Sequence, residues 1–271
     1  MAMKLDSSVL NLNASNSKTL STMKITKLVL SFTLMGLLAA CSNKMILPAA
    51  GQKVALKPTE QYLPKQAYDE KSQPVAYEEA ENPYLAKRSR VEKGSVLLFI
   101  EAKKALRAEN YSLAKQKLQV ITRNDKDLSG PWVLLAEIAQ HEQQLEKSEG
   151  YYQTALSINE DNINAYVGLA KTQRLMGEFN VAQNTLALAL KLWPDFPEAH
   201  LNLGVLYDVY FNKSELAQKH TEAYLFLTGY KDMQAIEWLN EIKQRTGINK
   251  SFMDSKLDVS DIIAHAVEES L

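Results

Sequence analysis

The sequence predicts an all-α protein built as an array of stacked helical hairpins, and three observations carry that prediction. From Ser95 onward the chain repeats itself every 34 residues, as units 95–128, 129–162, 163–196 and 197–231. A period of this length marks a solenoid made of one repeated supersecondary unit. Position 8 of each unit is small (Ala102, Ala136, Ala170, Gly204), and a second small site recurs at Ala114, Ser148, Ala182 and, after one inserted residue, Ala217. Bulky side chains recur at position 4 (Leu98, Trp132, Tyr166), position 7 (Leu135, Leu169, Leu203) and position 24 (Leu118, Tyr152, Leu186). Small residues let two antiparallel helices approach closely, and the bulky ones fill the layer between successive pairs.

Each hairpin exposes an apolar face until its neighbour covers it, so the units fold as an array and the terminal ones are expected to be atypical. The first and fourth units do depart, with Glu101, Ile121, His200 and Tyr224 at pattern positions. Pro194 ends the second helix of the third unit, and Pro197 sits where the next helix begins. Residues 232–246 predict a capping helix, with Met233, Ile236, Leu239 and Ile242 at helical spacing, and Gly247 marks its end. In the tail, 247–271, a short amphipathic helix carries Ile262, Ile263, Ala266 and Val267 on one side; it either docks a partner or frays and folds back on the array.

The repeated residues resemble the tetratricopeptide repeat. The resemblance implies a helical-hairpin array of about four repeats plus a capping helix, in which the first helices line a concave groove. Groove positions in such an array fall here on Phe99, Lys103, Val133, Leu134, Glu137, Gln140, His141, Asn164, Val167, Lys171, Arg174, Leu201, Asn202, Val205 and Asp208. This mixture of apolar anchors and a few charges suits an extended peptide or a helix. The carboxylate-clamp type of the family is matched only in part: Lys171, Arg174 and Asn202 are present, but Phe99 and Glu198 stand where donors are wanted. Strict specificity for a C-terminal carboxylate is therefore not expected.

Upstream of the array the chain carries an address. Residues 1–22 are polar and rich in Ser and Asn, and Met23 is the expected start. In 23–40, Lys24 and Lys27 precede the apolar run Leu28 to Ala40, which has the length of a signal-peptide core. At 1.5 Å per residue its 13 residues span about 20 Å, too little for a bilayer core of about 30 Å. The run ends Leu38, Ala39, Ala40, Cys41, which resembles a bacterial lipobox and implies cleavage before Cys41 and lipidation of its thiol. Several acyl chains give stable anchoring where one does not. Ser42 in place of Asp favours, by the same resemblance, the outer membrane facing the periplasm. Residues 41–94 hold five of the eight prolines and no sustained apolar period, so they are expected to form a disordered linker.

Composition narrows the functional classes. Lys and Arg number 31 against 32 Asp and Glu, for a net charge of -1, which offers no field for nucleic acid. The balance conceals a polarity, basic before residue 129 and acidic after it. A single cysteine excludes an intramolecular disulfide and any Cys-based zinc site. His141, His200, His220 and His265 have no paired spacing that seats a metal, and His200 reads as a packed structural imidazole. No Gly-rich phosphate loop or serine elbow occurs. The expectation is accordingly a non-enzymatic binding protein with no cofactor and no metal.

The strings LGVLYD (203–208) and LFLTG (225–229), followed by Trp238 and Leu239, resemble those of Gram-negative tetratricopeptide lipoproteins described with TonB energy-transduction systems. That resemblance implies an envelope scaffold accessory to a TonB-type transport complex. A pilotin-like lipoprotein that escorts a secretin, and an envelope hydrolase or its adaptor, are the alternatives left open.

Overall fold

The computed structural model describes residues 54–86 and 91–253. The signal segment 23–40, Cys41 and the amphipathic helix expected after 253 lie outside them. Four antiparallel hairpins follow one another, as expected, and a single helical turn, α1 (Pro83–Ala86), precedes them. The hairpins are α2 (Lys93–Arg107) with α3 (Tyr111–Asn124), α4 (Gly130–His141) with α5 (Leu145–Ile158), α6 (Ile163–Leu175) with α7 (Phe179–Leu192), and α8 (Pro197–Val205) with α9 (Ser214–Leu227). The capping helix α10 (Met233–Thr246) packs on α9. None of the described helices is long and apolar enough to cross a membrane.

Local chemistry sets the helix ends. Asn110 and Asn162 cap α3 and α6 by accepting the amides of Leu113 (3.1 Å) and Ala165 (3.3 Å). Asp232 accepts two amides at the start of α10, from Gln234 and Ala235. Each such cap is worth about 1 kcal/mol. Inside the first three hairpins the turn places a left-handed residue (Glu109, Gln143, Gly177) at the same point of the repeat. The next amide then reaches back five residues: Asn110 to Ala105, Gln144 to Ala139 and Glu178 to Gln173, all at 2.8 Å. This is the Schellman closure that satisfies the last carbonyls of a helix.

The fourth hairpin departs because it carries the inserted residue. A π-helical turn, Leu206–Tyr210, continues α8, and the Lys213 amide reaches back six residues to Tyr207. A π turn is the way a helix absorbs one extra residue without losing its axis. Here it holds Tyr207 almost completely buried.

The small sites perform as expected: Ala102, Ala114, Ala136, Ser148, Ala182, Gly204 and Ala217 are all sealed from solvent. Leu118, Tyr152 and Leu186 fill the layers between pairs. One continuous apolar core runs from α4 to α10, and a second joins α2 and α3 to α4, with Trp132 and Tyr151 touching both.

Residues 54–86, expected as a free coil, instead form a strap along the array. Asn180 and Asn184 donate to the carbonyls of Val54 (2.7 Å) and Ala55 (2.9 Å), and the Lys57 amide donates to Asn184 Oδ1 (2.7 Å). The Gln66 amide donates to the Met253 carbonyl. Farther along, the Tyr77 hydroxyl and the Ala80 amide both donate to Asp195, each at 2.6 Å, and Trp193 Nε1 donates to the Ala80 carbonyl. An extended strap needs no internal period, since its backbone polar groups find partners on the helices. Proline-rich composition therefore did not mean disorder.

Candidate functional site

The first helices of the hairpins border a cavity of about 990 Å³. Its apolar wall is Phe99, Val133, Leu134, Val167, Leu175 and Phe196, and its charged residues are Lys103, Glu137, Lys171 and Glu198. Position 6 of the third unit is Gly168, and only glycine fits there. A Cβ at Gly168 would lie 2.2 Å from the Tyr152 ring, so the ring lies directly against the α6 backbone and forms the floor.

Burial, aided by the Glu137 carboxylate, pushes the Tyr152 phenol above its ordinary range, so the floor presents an uncharged ring. The Glu137 carboxyl, exposed to solvent but crowded by the groove walls, is raised by desolvation, an effect that Lys171 and Lys103 oppose. Glu137 and the two lysines that act on it, Lys103 and Lys171, give the groove both signs of charge beside its apolar wall. Such a surface can hold an extended chain that offers an apolar residue and a charged neighbour.

Several polar groups at and behind the wall already have partners. Gln140 Nε2 donates to Thr172 Oγ1 at 2.8 Å, and Thr185 Oγ1 donates to Gln173 Oε1 at 2.8 Å. His141 stacks on Tyr111 with ring centroids 4.2 Å apart, which fixes its plane at the rim.

Ten of the fifteen sequence-derived groove residues line this cavity: Phe99, Lys103, Val133, Leu134, Glu137, Gln140, His141, Asn164, Val167 and Lys171. Arg174, Leu201, Asn202, Val205 and Asp208 do not. Asp208 is bound to the capping helix, with Arg245 Nη1 at 2.7 Å and Trp238 Nε1 donating to Oδ2 at 2.9 Å. Arg174 donates to the Tyr210 hydroxyl at 3.1 Å, and Asn202 donates to the carbonyl of Glu198 in its own helix. For Arg174 and Asp208 the physical reason is the closure of the fourth repeat, since the π turn and α10 take up their polar groups.

Nine of the lining residues were not in the sequence-derived groove set: Tyr84, Gly130, Gln143, Tyr152, Asn162, Gly168, Leu175, Phe196 and Glu198. Gly168 and Leu175 stand at positions 6 and 13 of their unit and were available from the same spacing. Tyr84 belongs to the strap and carries no repeat signal.

Among the described residues no cluster of three or more His, Cys, Asp or Glu side chains could hold a metal ion. His200 is the satisfied imidazole expected from its packing position, between the Pro194 carbonyl (2.8 Å) and His220 (2.9 Å).

No protein-family model matches the chain, and no curated protein matches it. Solved structures do resemble it. MamA from Desulfovibrio magneticus RS-1 is 14% identical, with a TM-score of 0.49 over 58% of this chain and 88% of that one. TTC0263, a thermophilic TPR protein of Thermus thermophilus, is 18% identical, with a TM-score of 0.48 over 55% and 81%. YrrB, described as a TPR protein with an unusual peptide-binding site, is 18% identical, with a TM-score of 0.45 over 54% and 74%.

Proposed function

We propose that this protein is a lipid-anchored scaffold of the bacterial envelope that holds an extended segment of a partner protein in the groove along its first three repeats. The observation that carries the reading is the cavity itself, with an apolar wall from Phe99 to Val167 interrupted by Lys103, Glu137 and Lys171. A partner segment with an apolar anchor beside a charge would bury the anchor against Val133, Leu134 and Val167 and meet a counter-charge within reach. Anchoring follows from the lipobox-like run before Cys41, with acyl chains on its thiol and placement in the outer membrane facing the periplasm. Among envelope machines, a TonB-type transport complex is the assembly favoured by the strings near residues 203–239.

The test uses photo-crosslinking residues placed one at a time in intact cells. Substitution at Leu134 and Val167 is expected to trap the same partner, and substitution at the exposed Gln119 of α3 is expected to trap none. Equal trapping at all three positions would refute a groove-directed contact. Cys41→Ser is expected to abolish acyl labelling and release the protein from the membrane fraction. Loss of the protein is expected to impair uptake of iron chelates and to leave secretin multimers in place; the reverse pattern would transfer the assignment to a pilotin role.

A further inference from the structure

The first stretch of the strap is locked to the array through a buried chain of hydrogen bonds whose proton positions can be assigned one by one. His200 Nε2 lies 2.8 Å from the Pro194 carbonyl. A carbonyl only accepts, so Nε2 carries the hydrogen and the Nδ1 of neutral His200 is bare. His220 Nδ1, 2.9 Å away, must therefore donate to it, which leaves His220 Nε2 bare. Thr59 Oγ1, 2.8 Å from that nitrogen, must donate to it. Tyr207 then donates to Thr59 Oγ1 (3.0 Å) and accepts from Gln183 Nε2 (3.0 Å), which also donates to the Lys57 carbonyl (2.7 Å). Every hydrogen has one place, and both imidazoles are neutral.

A proton added to this chain has nowhere to go without breaking it. On His200 it either sets two N–H groups against each other at 2.9 Å or reverses the chain through His220 and Thr59, which strands the Tyr207 hydrogen against the Gln183 donor. On His220 it turns Nε2 into a donor and strands the Thr59 hydrogen, while placing a charge in a fully buried site. The charged and titratable groups around the pair offer little compensation. From α9, Lys219 disfavours a charge on His220 and is itself paired with Glu215 (2.8 Å) and with Glu60 of the strap (2.7 Å). Also on α9, Glu222 is occupied by Lys243 of α10 and the Phe252 amide. Asp195 favours charge on His200, but Tyr77 and Ala80 hold both its oxygens. From the π turn, burial raises Tyr207, which keeps its proton. Helices form the other walls, so the strap at Thr59 is the part that can leave and admit water to His220.

We infer that residues 54–63 are a clasp that closes on the array when His200 and His220 are neutral and opens when they take up protons. Burial lowers His200 to about 4 and takes His220 well below its ordinary value of 6.5. The sign follows from linkage. Both groups bind protons more weakly in the closed state, so closure is fully favoured above pH 6.5 and weakens as pH falls toward 4. Each histidine reduces the closed-to-open ratio by up to about tenfold per pH unit in that window. Opening frees ten residues, about 30 Å of extended chain at 3.1 Å per residue. If Cys41 anchors the protein, as proposed above, that length is added to the tether while Tyr77 and Ala80 keep the rest of the strap in place.

The clasp is tested by hydrogen exchange of the full chain in mild detergent, between pH 7.5 and pH 4, corrected for the intrinsic pH dependence of exchange. Peptides covering 54–63 are expected to lose at least tenfold in protection between pH 6.5 and pH 4.5, with α4 and α6 unchanged. The variant Thr59→Val, which leaves both histidines and all helices intact, is expected to show low clasp protection already at pH 7.5 and no further pH dependence. Simultaneous loss of protection in the clasp and in α4 and α6 would mean global acid unfolding and would overturn the inference. So would a clasp that stays protected to the pH at which the helices open, or a Thr59→Val chain with the wild-type pH profile. None of these readouts depends on Cys41 or on a groove partner.

Discussion

The third and fourth repeats are built from the same pattern and finished in opposite ways. In the third, α6 turns Asn164, Val167, Gly168 and Lys171 toward an open cavity, and Gly168 lets the Tyr152 ring of the preceding repeat form the floor. In the fourth, Gly204, at the position of Ala170 in the third, lies against Thr221 and Trp238, and Asp208 is held by Arg245. The other side of the fourth repeat is occupied by the strap at Thr59. Whether a repeat presents a surface thus depends less on its own sequence than on what the flanking chain lays over it. The amino-terminal end makes the same point, since Leu97 and Ile100 of α2 remain exposed where no described helix covers them.

The largest effect is expected from Leu203→Ala, which empties a fully buried site in the closed repeat. A loss of about 3 kcal/mol in urea denaturation would follow from the cavity left behind. If the closed end were only a loose appendage, the loss would instead be below about 1 kcal/mol. Gly168→Ala attacks the open repeat, because the new methyl group must displace Tyr152 from the floor. About 2 kcal/mol of destabilisation is expected from overpacking, together with loss of partner crosslinking at Val167. A stable variant with an unaltered groove would show that the ring contact is not what shapes the site.

Asp208→Ala removes the tie between the π turn and α10, where the carboxylate side chain is 7% exposed. The expected cost is about 1 kcal/mol, read as faster hydrogen exchange confined to α10. Equal acceleration in α4 would contradict a local tie. The smallest effect belongs to Glu137→Gln. Desolvation by the groove walls raises the Glu137 carboxyl above its ordinary value of 4.5, so its charge slightly disfavours the folded state at neutral pH, an effect that solvent at this exposed residue screens. The variant should therefore melt slightly higher than wild type at pH 7. That advantage shrinks as pH falls through the raised pKa and vanishes below 4.5. Partner binding should weaken at the same time, which separates the groove role from stability.

Much of the array was legible because its information is local and repeated. Ala136 and Ser148, or Ala170 and Ala182, mark where helices cross, and one period fixes their register. The ten groove residues that line the cavity stand at the groove positions that the tetratricopeptide resemblance implied. Of the five outside the cavity, Arg174 and Asp208 bond to the π turn and to α10, partners that a repeat pattern does not include. The inserted residue near 206–210 was visible as a break in count, but its conversion into a π turn was not. That choice depends on where Tyr207 finds partners, namely Thr59 and Gln183, at 148 and 24 residues' separation.

The 34-residue spacing of small and bulky side chains was sufficient to specify stacked hairpins, and the helical spacing of Met233, Ile236, Leu239 and Ile242 specified the capping helix. Helix pairing repeats at a fixed interval, so each unit reports the same packing rule independently. The strap, the closed fourth repeat and the His200–His220–Thr59 chain were decided only in the folded molecule. Each joins residues more than a repeat apart or in different elements, through single hydrogen bonds and ion pairs that leave no period in the sequence.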